Sequence, residues 1–434
     1  MTGLLAVLVA TVLAAPDGTI AWHASVEVAQ GRGERGPWQQ SQSRYDFVDD
    51  PSVALSQSGE AAVAWVDQAK KTVLFQRFSA SGEPQLAQPV DVSRRPATFS
   101  WLPRVVLAPG APQSVYILWQ EIIFSGGLHG GDILYARSDD GGQSFSEPVN
   151  LSNSRGGDGK GRLNPESWHN GSLDLAAGRH GALYAAWTEY NGQLWLSRSL
   201  DGGQRFLPPV RIAGGGKEPP TRAPSLAVGP GGMVLLAWTV GDNDAADIHV
   251  ARSLDGGATF SLPQLVAPSP AHSDAPRLAV DSAGVVHLVY AQSQAGPFAR
   301  YGIHYTRSTD GGRRFVRPLE ISGSMPGGFR SAAFPTLALD AKGRAVVVWE
   351  LFEEAGRIPR GLGIAVSGNG GHSFSRPGVV PGSMGAAGGF NGSSQGLLMS
   401  KMAVSRDGAV AVVNSSLLPG AHSRVWLMRG RLMP

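Results

Sequence analysis

The feature that most constrains how this 434-residue sequence can fold is a short turn that recurs along the chain. The stretch "SLDGGATF" is one copy, and its relatives keep the serine, the glycine pair and the final phenylalanine. The copies begin at Ser138, Ser199, Ser253, Ser308 and Ser367. They are spaced 61, 54, 55 and 59 residues apart, and a worn copy at Ser79 precedes them by 59 residues. Regular spacing of this size predicts a repeat architecture.

Each copy lies between two alternating stretches, such as "DIHVARS" before it and "FSLPQLV" after it. Asp-Gly between alternating stretches indicates a tight turn between two strands. The aspartate can accept hydrogen bonds from its own turn, and the glycines tolerate positive φ. We therefore expect a structural role in the turn for Asp140, Asp201, Asp255, Asp310 and Asn369. We also expect the phenylalanine to pack on a neighbouring unit, and we do not expect five catalytic copies in one chain.

A second pattern accompanies the turn, and "PSLAVGPGGMVLLAW", which ends at Trp238, is its clearest copy. It predicts a strand, a glycine turn and a second strand, and it occurs seven times. Together with the strands around the repeated turn it makes a four-stranded unit, and such units arranged radially form a β-propeller. The sequence predicts an all-β fold with seven blades of four antiparallel strands, closed by the N-terminal stretch "IAWHASVEVA" beside the C-terminal strands. Six blades with an irregular cap are the alternative.

Composition and the N-terminus limit the remaining classes of protein. The sequence has no cysteine, which excludes disulfides and thiolate chemistry. Its formal net charge is only +3 and no dense basic run is present, so we expect no nucleic-acid partner. The apolar run from Leu4 to Ala15 resembles the core of a signal peptide and is too short to span a bilayer. We expect residues 1–15 to be a signal peptide, residues 16–434 to form one secreted or periplasmic propeller domain, and no membrane span.

The pattern Ser-x-Asp-x-Gly-x-x-Phe resembles the Asp-box, or BNR, repeat of the sialidase superfamily, and the resemblance covers nearly all of the chain after residue 15. It implies a propeller, but not one activity, because similar boxes occur in xyloglucanases, sortilin-type receptors and photosystem assembly factors. Sialidases themselves are six-bladed and use three arginines, an aspartate and a Tyr–Glu pair. Here the only Arg-Ile-Pro, starting at Arg357, stands before the last box instead of before the first, and no tyrosine follows Tyr305. Both departures argue against sialidase catalysis.

In propellers of this kind the box turns share one face, and the opposite face carries the loops where function usually lies. Two sets of positions sample that face. The residue two before the first-strand proline, or its equivalent, is Asp49, Trp101, His169, Arg222, Asp274, Ala333 or Leu398. The residue two after the aromatic that ends the second strand, or its equivalent, is Asp67, Glu121, Glu189, Val240, Gln292, Leu351 or Ser416. The polar members concentrate in blades one to five.

These positions suggest a sugar site. Trp101 can stack on a sugar ring, while Arg222, His169 and Asp67 can bind its polar groups. A pair among Glu189, Asp274, Glu121 and Asp49 can serve as acid and as nucleophile or base in glycoside hydrolysis. The ordinary alternative is that these charged groups are solvated or paired with one another.

Three functions remain open at this stage. The first is a sialidase-like propeller that binds a glycan or another polymer on its loop face. The second is a glycoside hydrolase, exo-sialidase-like or other, and the third is a non-catalytic scaffold for a protein partner. The sequence suggests no cofactor and no metal, since its histidines lack metal-ligand spacing.

Overall fold

A computed structural model of the chain confirms the prediction of a seven-bladed β-propeller. It describes residues 13–14, 19–34, 44–94, 98–125, 128–152, 172–189, 192–241, 245–297, 299–353, 358–384, 390–391 and 400–434. Six sheets have four antiparallel strands each, and a seventh sheet joins strands from both ends of the chain. Among these residues the only helices are two short 3₁₀ turns, Pro230–Gly232 and Pro326–Gly328.

The strands of blades one to six follow one another along the chain, and we number them first to fourth within each blade. Blade one comprises Val48–Leu55, Ala61–Asp67, Thr72–Phe78 and Val90–Asp91. Blade two comprises Phe99–Ala108, Ala111–Ser125, Leu128–Ser138 and Val149–Asn150. Blade three comprises Leu173–Ala177, Leu183–Thr188, Leu194–Ser199 and Val210–Ala213. Blade four comprises Thr221–Val228, Val234–Val240, Asp247–Ser253 and Gln264–Leu265.

The last two of these six blades have the same order. Blade five comprises His272–Val280, Val286–Ser293, Gly302–Ser308 and Leu319–Glu320. Blade six comprises Ser331–Leu339, Ala345–Phe352, Pro359–Ser367 and Gly378–Val379.

Blade seven combines the two ends of the chain. Its first three strands are Met402–Val404, Ala409–Leu418 and His422–Leu432. The N-terminal strands Ile20–Trp22 and Val26–Gly31 both pair with the third of these, antiparallel to it. Two short strands, Leu13–Ala14 and Phe390–Asn391, pair at the edges of this sheet. The ring is therefore closed by hydrogen bonds between chain segments about as far apart in sequence as the chain permits.

The hydrophobic core lies between the blades. Second strands such as "VLLAWTV" are almost entirely apolar because both faces of the sheet are covered by neighbouring sheets. Each pair of adjacent blades shares one cluster of buried side chains, including blades seven and one, where Trp65 packs with Val413 and Leu427. The aromatic that the repeated pattern places in the second strands of blades one to six is at most 1% exposed, as in Trp119 and Trp238. These bulky rings provide much of the contact between sheets.

The repeated turn is held by its own serine and aspartate. In the copy at Ser253, the serine hydroxyl donates to Asp255 Oδ1 at 2.7 Å and accepts the Gly257 N–H at 2.7 Å. Asp255 also accepts the N–H and the hydroxyl of Thr259, and these hydrogen bonds lower the pKa of Asp255. The same serine contact is made by Asp140 at 2.6 Å, Asp201 at 2.8 Å, Asp310 at 2.7 Å and Asn369 at 3.0 Å.

The second glycine of the turn is also where one blade meets the preceding blade. Gly371 in blade six has φ +81°, and a Cβ there would overlap the ring of Tyr305 in blade five. Tyr305 cannot easily move, because it is 2% exposed, its Oη lies 2.7 Å from His287 Nδ1, and Phe374 packs edge-on against it with ring centroids 4.8 Å apart. Equivalent aromatic pairs join Phe75 to Phe145 and Tyr135 to Phe206.

We expect Gly371→Ala to destabilise the fold more than Gly370→Ala. Both glycines have positive φ, so each alanine costs about 1 kcal/mol in backbone strain. A Cβ at Gly370 meets open space, whereas at Gly371 it meets Tyr305, which adds about 1–3 kcal/mol of overpacking. Urea unfolding of both variants measures the difference. Equal midpoints would show that the glycine does not set the spacing between blades.

Candidate functional site

The two faces of the ring differ in what they carry. The box turns lie beside the turns between first and second strands, since Gly202 N donates to Gly181 O at 2.9 Å. On the other face, the connection from second to third strand meets the start of the next first strand. There Thr221 N donates to Gly192 O at 2.9 Å, and Ser273 N donates to Ala246 O at 2.7 Å. We call this second side the loop face.

The first strands line the axis of the ring, and five of them have a bulge directly before a proline. The register with the second strand shifts there in blades one, two, four, five and six. The residue before the proline is left-handed, with φ between 50° and 57°, in Asp50, Leu102, Ala223, Ala275 and Phe334. None is glycine, so each conformation costs about 1–2 kcal/mol. Bulges redirect side chains, and strain of this kind concentrates at functional sites.

Arg222 and Asp274, two residues singled out from the sequence, contact each other just before the bulges of blades four and five. Arg222 Nε lies 3.2 Å from both carboxylate oxygens of Asp274. Arg222 Nη2 lies 3.1 Å from His272 Nε2, and Thr239 Oγ1 donates to Asp274 Oδ1 at 2.9 Å. The arginine side chain is 13% exposed and the aspartate 25%. This pair is therefore partly open to the loop face and fixed in orientation.

The surroundings of Asp274 keep its carboxylate ionised. Burial favours the neutral acid, but the charge of Arg222, the electrostatic effect of His272 and the hydrogen bond from Thr239 outweigh it and lower the pKa of Asp274. A carboxyl with a lowered pKa suits a nucleophile, a base or a ligand for a cation, and does not suit a general acid.

Two other predicted carboxylates are buried. Glu121 is 0% exposed and accepts hydrogen bonds from Ser100 Oγ at 2.9 Å and Trp119 Nε1 at 3.0 Å, and from the Thr98 hydroxyl. Asp49 is 4% exposed and accepts from the Ser415 hydroxyl of blade seven. Both groups hold neighbouring strand ends together in this conformation.

The remaining predicted polar residues lie at connections on the loop face. Asp67 accepts the Lys70 N–H at 3.1 Å and forms an ion pair of 3.1 Å with Lys70 Nζ, so it closes a turn. Glu189 is 8% exposed, and its backbone N–H donates to Gln193 O at 2.9 Å in the next turn. His169 and Leu398 lie outside the described residues.

Trp101 does not present a free ring face. It is 3% exposed and packs with Phe99 and Leu102, and Tyr45 covers this small cluster. Tyr45 comes from the segment before blade one, so the sequence around Trp101 gave no sign of this cover. Stacking of a sugar on Trp101 would require this cluster to open.

The sequence analysis missed a set of polar side chains that lie one residue after the first-strand proline in five blades and at the equivalent position in blades three and seven. They occupy the same register, opposite the residue that precedes the second-strand aromatic, or Asn414 in blade seven, and all are buried. The set is Ser52, Arg104, Asp174, Ser225, Arg277, Thr336 and Lys401. Charged residues inside strands that are otherwise apolar were the available signal, because a charge is buried only where a partner compensates it.

Three of these side chains meet across the central channel. Arg104 Nε of blade two lies 3.9 Å from Asp174 Oδ1 of blade three, and Arg277 Nη1 of blade five lies 3.7 Å from the same oxygen. Side chains from blades two and five can share one acceptor in blade three only if they point into the channel. Arg104 and Arg277 are 2% and 6% exposed.

Blades six and seven, which looked apolar from the sequence, add a buried ion pair. Lys401 Nζ contacts Glu350 Oε1 and donates to Asn414 Oδ1 at 3.0 Å. Glu350 and Lys401 are 0% and 3% exposed. In blade six the position singled out from the sequence, Leu351, directly follows Glu350 and is itself apolar and buried.

Asp50, at the bulge of blade one, lies close to this network. It accepts the Leu102 N–H at 3.2 Å and is 1% exposed. Burial and the neighbouring Asp49 raise the pKa of Asp50 to about 8, although Arg104 and Lys401 oppose the shift. A protonated carboxyl therefore stands at the channel at neutral pH.

Two other kinds of feature are absent from the part of the chain that the structure describes. No group of three or more histidine, aspartate or glutamate side chains is arranged to hold a metal ion. No helix there is long and apolar enough to cross a membrane.

We expect Asp50→Asn to change how stability depends on pH. Because the pKa is about 8 in the folded protein and 3.8 ordinarily, the folded state holds a proton that the unfolded chain releases between these values. The free energy of unfolding thus falls with rising pH in this window, by at most about 1.4 kcal/mol per pH unit from this group.

Urea unfolding at about pH 5 and about pH 8 tests this. Asp50→Asn should gain stability relative to the unsubstituted protein at the higher pH. Asp407→Asn, in an exposed turn, is the control and should track the unsubstituted protein. Parallel profiles for Asp50→Asn would contradict the assignment.

Comparison with known proteins finds similarity of fold without similarity of sequence. No protein-family description matches the chain, and no curated protein matches it. Among solved structures, a PL25 ulvan lyase bound to -[GlcA(1-4)Rha3S]- is similar, with a TM-score of 0.58, 12% identity, 93% of this chain covered and 95% of that one.

Two further solved structures share the architecture. The polysaccharide lyase Uly1 has a TM-score of 0.54 and 12% identity over 95% of this chain and 100% of its own. An α-L-arabinanase of Penicillium chrysogenum, complexed with arabinobiose, has a TM-score of 0.50 and 12% identity over 79% of this chain and 98% of its own. At these identities the comparison establishes a propeller fold that also occurs in glycan-processing enzymes.

Proposed function

We propose that the protein binds a polysaccharide on its loop face, at the mouth of the central channel. The observation that carries this proposal is the Arg222–Asp274 pair, partly exposed at the bulged strand ends and in contact with the buried His272. Such a cluster offers donors and acceptors in fixed directions, which is what recognition of sugar hydroxyls requires. We further propose the sialidase-like Asp-box assignment, a signal peptide at residues 1–15 and a secreted or periplasmic location for residues 16–434.

The strain at the mouth supports a ligand site. Five non-glycine residues hold left-handed conformations at the same position of their blades, although a regular strand would avoid that cost. The bulges change the direction of the chain where the first strands reach the loop face. Solved structures with this architecture include polysaccharide lyases and an arabinanase, which is consistent with a carbohydrate ligand.

A glycoside hydrolase is the second candidate, and Asp274 is the observation that favours it. Its ionised carboxylate is partly exposed and oriented by Arg222, as a nucleophile or base must be. Glu189, at the loop-face end of blade three, is our candidate for the acid. Glu121 and Asp49 are candidates of lower rank because strand-end hydrogen bonds already occupy them.

We expect a glycan-array screen of the protein from residue 16 onwards to detect binding that is lost in Arg222→Gln. The substitution removes the donor fork at the mouth. Arg205→Gln, on an exposed box turn of the opposite face, is the matched control and should bind normally. Binding that survives Arg222→Gln in a folded variant would move the site elsewhere, and a scaffold role would become the better proposal if no glycan binds.

Any glycan that binds can be tested for turnover by the unsubstituted protein and by the variants Asp274→Asn and Glu189→Gln. If the protein is a hydrolase, loss of either group should lower kcat by at least about 100-fold, while binding persists. Binding without turnover in the unsubstituted protein would instead support a lectin-like propeller.

A further inference from the structure

The two channel arginines have more donors than the surrounding residues have acceptors. In the described part of the chain, Nε and Nη2 of both Arg104 and Arg277 have no hydrogen-bond partner, although both side chains are buried. Asp174 Oδ1, the carboxylate oxygen with which both arginines form an ion pair, lies 3.7–3.9 Å away, beyond the usual length of a charged hydrogen bond. The other oxygen, Oδ2, already accepts the Leu226 N–H at 2.8 Å.

The neighbouring acids do not make up this deficit. Glu350 is paired with Lys401, and Asp49 accepts from Ser415. Asp50 is largely protonated at neutral pH because burial and Asp49 raise its pKa. Burial first, and then the charge of Arg277, lower the pKa of Arg104 to about 9, because the nearby carboxyl groups only partly compensate the two effects.

We propose that Arg104 and Arg277 bind an oxyanion in the channel, one layer below the mouth. The chemical class is a carboxylate, sulfate or phosphate group, whose oxygens match the planar donor fork of a guanidinium. Such a group would provide acceptors for the orphaned N–H groups and negative charge for two buried cations. Water could provide only the acceptors.

The position of the arginines indicates how an anion would reach them. Arg104 follows the bulge residue Leu102 by two positions, so it lies directly inward from the loop-face end of its strand. The source is either a free inorganic anion or the acidic group of a bound glycan. The second source rests on the proposed function and restricts the substrate class to acidic polysaccharides.

The first test uses inorganic sulfate as the probe, with isothermal titration of the whole protein. We expect saturable binding of one sulfate, weakened at least about tenfold in Arg104→Gln and in Arg277→Gln, because each loses a charged donor fork. Arg205→Gln on the opposite face should bind sulfate normally. Absence of saturable binding, or equal binding by all variants, would overturn the proposal.

A second measurement does not depend on the variants folding. Crystals of the unsubstituted protein soaked in selenate should show anomalous density between the Arg104 and Arg277 guanidinium groups. Absence of density there, whether selenate binds elsewhere or not at all, would overturn the site. Selenate density at the arginines without saturable sulfate binding in solution would identify an adventitious ion only.

The source is distinguished by competition. Suppose that a glucuronate-containing or sulfated oligosaccharide binds, that sulfate displaces it, and that Arg104→Gln weakens its binding. The acidic group of the glycan then occupies the site. If sulfate binds at the arginines while glycan binding is unaffected by it, the site takes a free anion and the glycan proposal stands separately. If only neutral glycans bind and sulfate does not, the oxyanion proposal fails while the proposed function survives.

Discussion

The distance between adjacent sheets is set largely where a box turn meets the blade before it. The second glycine of the turn leaves no space for a side chain, and an aromatic such as Tyr305 or Tyr135 fills that position from the preceding blade. A close contact at this glycine recurs at five box turns, with an aromatic at four and Leu235 at the fifth, and it limits how closely and how far apart adjacent sheets can lie. The positions of the bulges, of the charged mouth and of the channel below it all depend on how the first strands are placed around the axis. A channel lined by one strand per blade cannot retain its geometry if one interface opens.

The sequence predicts the blades well because their determinants are local. Each pattern determines the structure of only a few neighbouring residues: the Asp-Gly turn, the apolar second strand and the aromatic within it. The number of repeats of these patterns along the chain then gives the number of blades. The site is predicted less well, because its contacts join residues from different blades. Arg222 and Asp274 appeared as separate polar positions, and only the structure shows them as a pair. Trp101 appeared available for stacking, yet Tyr45 from the preceding segment covers it.

The residues of the channel also could not be predicted from the sequence, because their contacts join different blades. Arg104 and Arg277 lie in first strands whose relatives carry serine or threonine at the same position, such as Ser52 and Thr336. A short hydroxyl there can accept a backbone N–H of the next blade, as Ser52 does from Val105 and Ser225 from Leu278. Arginine cannot accept, so in these two blades the ring loses such a contact and the long side chain extends into the channel. Register alone identifies the position, but only the seven strands together identify its surroundings.

Blade seven closes the ring with strands from both terminal regions of the sequence, where Ile20–Trp22 and Val26–Gly31 pair with His422–Leu432. During synthesis on the ribosome, the six consecutive blades are complete before His422–Leu432, the partner of the two N-terminal strands, has been made. Until then the outer face of blade one and that of blade six have no neighbour, and their apolar side chains face water. Once His422–Leu432 has been made, its pairing with the N-terminal strands converts an open stack of sheets into a ring. A chain truncated before this strand would remain open, exposed and prone to association with other unfinished copies.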